Sequence, residues 1–180
     1  ENFKDYGKSV EISNGVISAI VTVEVGPRII SFGYVGSQNF LHSTRKNFTP
    51  KTDKIYTDFF GAGRHWEIFG GHRVWLSPES YPETYTPDDK PCEYTVTEHG
   101  AVFTYAKDTE IGVAKQLEIK MDPDDTNMQV IMKVKNISDK SKRFSVWALS
   151  VCDQNGTLIL PMNTNDTGLL HNRKIALWSY

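Results

Sequence analysis

The sequence predicts an all-β fold, an antiparallel sandwich of two sheets, on three observations. Short β-branched and aromatic runs recur between turn residues. One of those runs alternates well enough to have a core face and a wet face, and no stretch carries the apolar periodicity of a helix of three turns.

The elements follow in order. Residues 10–25 are two apolar runs on either side of Asn14-Gly15, a dipeptide that supplies the positive φ of a tight turn, so a hairpin opens the fold. Gly26-Pro27 breaks the second run, residues 28–35 resume it, and Gly36-Ser37 turns the chain toward a further short strand at 38–41. Residues 42–71 lose the alternation over a length too great for a hairpin connection. Their aromatics, Phe59, Phe60, Trp66 and Phe69, mark an ordered loop with room for one short helix.

After Val74-Trp75-Leu76, the prolines 78, 82, 87 and 91 deny residues 77–91 both helix and ladder bonds, which predicts an extended surface loop. Five runs then follow at the spacing of a meander: 93–97, 101–106, 111–121, 128–135 and 143–152. In 128–135, Met128, Val130, Met132 and Val134 share one face, while Gln129, Lys133 and Lys135 mark the other, with Ile131 the exception. A last apolar run, 175–178, is expected to be a paired strand, because an exposed apolar edge promotes association.

Composition narrows the function. With 180 residues, 39% of them hydrophobic, the chain is long enough to bury the core of one domain, 1–180. A formal net charge of −2, without a basic stripe, argues against nucleic acid as a partner, and no apolar run has the length of a bilayer span. The first residue is Glu1, so the lack of a leader leaves both cytoplasmic and exported locations open. Cys92 and Cys152 have neither zinc nor redox spacing and read as two buried thiols, with a long-range disulfide as the alternative. No P-loop, dinucleotide fingerprint or nucleophile elbow occurs, so the chain suggests no cofactor. His65 with Glu67, or His72 with Glu79, could donate to a metal, but no ligand spacing supports a metal site.

Three stretches carry a family resemblance: GPRIISFGYVGSQNFL at 26–41, GGHRVWLSPESYPETYTPDDKP at 70–91 and WALSVCDQNGTLILPMN at 147–163. Together with a strand ending in Asn136 before a polar turn, they resemble a family of unknown function in the galactose mutarotase-like, aldose 1-epimerase-like superfamily. The resemblance implies that the sandwich is the N-terminal part of a supersandwich, cut short at its C-terminal end, with a sugar-binding concave face. Epimerases of that superfamily use a His acid and a Glu base. Here Trp147-Ala148-Leu149 stands near the expected His, and the expected Glu has no counterpart, so the catalytic residues stay unassigned.

The candidate substrate-binding residues are His72, Arg73, Trp75, Glu79, Trp66 and Arg28. Gly70-Gly71 lets a ligand or another backbone approach closely. His72 offers a proton near neutral pH, and Arg73 offers a planar fork of donors. Strand parity puts them on opposite faces unless a bulge intervenes. A structural His and an Arg paired with a carboxylate such as Glu79 remain the alternative. Trp66 and Trp75 could stack on a pyranose or fill the core. Glu79 and Glu83 could supply acid–base chemistry or be solvated loop carboxylates, and Arg28 could bind ligand or pair with Glu24. The expected partner is a carbohydrate or other small polar ligand, met where 70–91 joins the 42–71 loop. A noncatalytic structural or interaction fragment is the alternative, with a homodimer through the C-terminal edge.

Overall fold

The computed structural model describes residues 2–45, 49–162, 164–168, 170 and 175–177. It is an all-β sandwich of two antiparallel sheets, as the alternation requires. The first sheet contains β1 (Ser9–Ser13), β2 (Ile17–Thr22), β3 (Ile29–Tyr34), β4 (Gly71–Ser77) and β9 (Ser145–Val151), in that order. The second is the meander β5 (Glu93–Thr97), β6 (Gly100–Thr104), β7 (Val113–Met121) and β8 (Met128–Asn136). Among the described residues, helix is confined to a three-residue turn at Lys4–Tyr6 and to α1 (Lys54–Phe60), the short helix expected in the long loop. Asp53 caps α1 by accepting a 2.8 Å bond from the Tyr56 amide. No helix among the described residues is long and apolar enough to cross a membrane.

Local chemistry explains the opening hairpin. The Asn14 side-chain oxygen accepts from the amides of Val16 and Ile17, and Gly15 takes φ +87°. The same Asn14 donates to the carbonyls of Asp122 and Asp125, tying the hairpin to the β7–β8 turn of the other sheet. Between the sheets, Ala19, Val21, Ile29 and Val74 meet Ala101, Phe103, Leu117 and Ile119, and the apolar face of β8 packs against them. A second core, beneath the long loop, joins Tyr56, Phe60, Trp66, Trp75 and Val113.

Several expectations are corrected. Residues 38–41 form no strand, because the Asn39 side chain takes the place of a ladder: its oxygen accepts from Phe32 and Leu41 amides, and its nitrogen donates to the Ile30 and Leu41 carbonyls. The proline-rich loop is not extended over the surface. It folds back through bonds from the Thr84 amide to the Ser80 carbonyl and from Tyr85 to Pro82, with cis bonds at Ser77–Pro78 and Tyr81–Pro82, and it buries the side chains of Thr86 and Asp88.

The fifth run of the expected meander crosses over instead: β9 pairs with β4 in unbroken register from Gly71↔Val151 to Ser77↔Ser145. Residues 175–177 lie in no strand, with Ile175 and Leu177 exposed, so the expected terminal strand is absent there; Trp178 lies outside the described residues. Both cysteines are free, Cys92 buried and Cys152 exposed, which removes the disulfide and corrects the expectation of two buried thiols. Burial pushes the Cys92 thiol up to about 11.

Candidate functional site

The β4–β9 ribbon is the floor of the site. Its register sets Arg73 opposite Leu149 and Trp75 opposite Trp147, so these four side chains share one face. His72 and Val74 point to the other, since no bulge interrupts the pairing. Above the first face, Lys51 and Trp66 form an isolated antiparallel bridge, with reciprocal amide–carbonyl bonds of 2.8 and 2.9 Å that bring their side chains to one side. Tyr85 and Glu79 come in from the folded proline-rich loop. The result is a groove of about 390 Å³, with Ile68, Ser150 and Val151 completing its lining.

Aromatic rings dominate this groove. Trp66 and Trp75 lie 5.8 Å apart between ring centroids, and Tyr85 stands edge-on to both at 5.2 and 5.4 Å. Trp66 and Trp75 are only 6% and 8% exposed, which makes them chiefly core residues, as the commoner fate of Trp suggests. Trp147 is 38% exposed and offers the accessible indole. Cations lie over these rings: the Arg73 guanidinium 3.9 Å from the Trp75 centroid, and Lys51 Nζ 5.3 Å from that of Trp66. The Tyr85 hydroxyl donates to Glu79 Oε1. The buried Trp75 Nε1 has no hydrogen-bond partner among the described residues.

Of the sequence candidates, then, Arg73, Trp75, Trp66 and Glu79 are brought together, and His72 and Arg28 are not among the residues lining the groove. His72 Nδ1 and Ser150 Oγ are joined by a 2.7 Å hydrogen bond, and burial lowers the His72 pKa, favouring neutral imidazole. Arg28 is 1% exposed and committed to the fold: it donates to Asp88 at 3.0 Å and to the Gly70 carbonyl, and it lies over the Phe69 ring. Its partner is Asp88, not Glu24. Glu83 sits on the exposed loop, accepting from Ser80 Oγ.

The glycine pair serves the backbone. A Cβ on Gly70 would lie 2.3 Å from the His42 carbonyl oxygen, and one on Gly71 would lie 2.3 Å from that of Ile29. Among the described residues, no three His, Cys, Asp or Glu side chains cluster as metal ligands.

Behind the floor lies a buried ionic cluster. Lys115 points inward from β7 and bonds Asp88 at 3.2 Å and Asp108 at 2.9 Å, while Asp88 also holds Arg28. Burial works to raise the Asp88 pKa, but Lys115, Arg28 and Arg73 together hold it below the usual carboxylate range. Arg73 thus acts electrostatically on the cluster and also lines the groove.

Lys51, Tyr85 and Trp147 belong to the site although sequence reasoning did not select them. For Trp147 the signal was present: it lies in a strand and in a stretch that carries the family resemblance. Lys51 has no such signal, because its place depends on the bridge to Trp66. Comparison of the chain with protein-family models, with curated proteins and with solved structures finds no match.

Proposed function

We propose that this protein binds carbohydrate in the groove over the β4–β9 ribbon, as a module of galactose mutarotase-like type. The observation that carries the reading is an exposed indole, Trp147, in a concave groove that also presents Glu79, Lys51 and Arg73. An indole gives a pyranose a flat apolar surface, and polar groups around it orient the hydroxyls. Binding is favoured over anomeric catalysis. Glu79 is the one carboxylate among the described residues lining the groove, and His72 points to the other face of the ribbon.

Saturation-transfer NMR against a panel of methyl glycosides tests the reading, followed by an anomer-exchange assay on free sugars. Saturation of ring protons that weakens in Trp147→Ala is the expected result. A panel without binders would refute it, and anomer exchange above the uncatalysed rate would restore the catalytic reading.

A different observation favours an interaction role. Strand β9 ends its sheet with Val146 and Trp147 43% and 38% exposed, and Leu158 and Ile159 beyond it are also exposed. An apolar edge of this kind invites strand addition by a second copy, which would make β9 the C-terminal edge of a homodimer. Light scattering across a concentration series decides the matter, and a monomer throughout removes this reading.

A further inference from the structure

The charges around the groove are unevenly placed. Most arginines of the described fold have a carboxylate within ion-pair distance: Arg28 has Asp88, Arg45 has Glu67, and Arg64 has Asp89 and Glu110. Lys115 is likewise held by two acids. At the groove the pattern changes. Lys51 makes no ion pair with any described residue, yet it is held in place, its backbone bridged to Trp66 and its ammonium over the rings of Trp66 and Tyr85 at 5.3 and 5.7 Å. Arg73 also lines the floor, over Trp75, but its charge acts on the buried Asp88 as well. Glu79, the acid among the described residues lining the groove, already accepts from Tyr85.

An aromatic face holds a cation without neutralising it, so Lys51 keeps its full charge available to a ligand and has already lost part of its side-chain freedom. A neutral pyranose has no use for that charge. A sugar bearing a carboxylate does, because a charge-assisted bond to an ammonium or guanidinium is stronger than a neutral one.

We infer that the groove prefers an acidic sugar, a hexuronic acid residue whose carboxylate lies toward Lys51 while its ring stacks on Trp147. This rests on the carbohydrate reading above and adds the substrate class. Glu79 orients the ligand, since a carboxylate placed beside it would be repelled and a hydroxyl accepted.

The test uses the full chain and two matched pairs of probes, methyl glucuronide against methyl glucoside and methyl galacturonide against methyl galactoside, each titrated by NMR at low salt. In at least one pair the uronide should bind about three- to fivefold more tightly, the value expected of a partly exposed ion pair. Lys51→Met should abolish that preference, the uronide losing more affinity than its matched neutral glycoside, and added salt should narrow it in the wild type. Lys51 is exposed, so this variant should fold, which its melting temperature verifies. Equal affinity within both pairs, or a preference that survives Lys51→Met, overturns the acidic-sugar inference while leaving carbohydrate binding intact. Failure of all four probes overturns both.

Discussion

Two regions of the molecule handle positive charge in opposite ways. In the inter-sheet cluster, Arg28 and Lys115 are almost fully buried, and each is matched by carboxylates, Asp88 serving both and Asp108 serving Lys115. In the groove, Lys51 and Arg73 lie over aromatic rings. A charge removed from water must be paired if the fold is to survive, whereas a charge at a groove wall can be held by a ring and still serve something that arrives later. Residues of the same chemical type therefore divide into framework and candidate site according to what lies against them. Lys115 and Lys51 show the division most clearly.

The largest effect is expected in the framework. Asp88→Ala leaves Arg28 and Lys115 without their shared acid, and breaking a buried pair in this way costs about 3–5 kcal/mol. Urea unfolding should show that loss, and a stability change under about 1 kcal/mol would mean that the cluster does not hold the sheets together. Because the Asp88 pKa is held below its ordinary value, its contribution is present above the unfolded pKa of about 3.8 and disappears as pH falls through the lower folded value.

Arg73→Ala probes the boundary between the regions. Arg73 is 7% exposed and packs on two indoles, so the variant should lose about 2 kcal/mol of stability as well as ligand affinity. Lost affinity with an unchanged melting temperature would place Arg73 wholly on the ligand side. Trp147→Ala should act the other way, weakening sugar binding by about 1 kcal/mol, roughly fivefold, with little change in unfolding free energy, since its ring is the accessible one. A large fall in stability instead would make Trp147 a core residue.

The smallest effect concerns His72. Its folded pKa lies below the ordinary 6.5 because burial disfavours the charged ring. The unfolded chain therefore binds the proton first, and stability present above pH 6.5 declines as pH falls from there through the folded value. Unfolding titrations of the wild type and His72→Gln over that window should differ in slope, the variant being the flatter. Identical slopes would mean that His72 is solvated.

Much of the fold was legible because its signals are local. The run 93–97 is β5 itself, and the expected boundaries of β3, β7 and β8 fall within two residues of the observed ones. Parity within 72–75 placed His72 apart from Arg73 and Trp75, and the unbroken β4–β9 register bears this out. Distant partners were less accessible. Nothing near 143–152 says that this run should leave the meander for β4, and nothing near Arg28 says that its acid lies sixty residues on.

By itself the sequence determined the alternation, the turns and the all-β class, since a two-residue period and a turn's φ preferences are properties of neighbouring residues. It also placed Arg73 and Trp75 on one strand face. Only the tertiary structure decided that Trp66 and Trp75 are buried while Trp147 is accessible, that Gly70 and Gly71 admit backbone, and that Lys51 and Tyr85 reach the groove. Burial and juxtaposition depend on which segments fold over one another, and that is settled by the summed packing of both sheets and their loops.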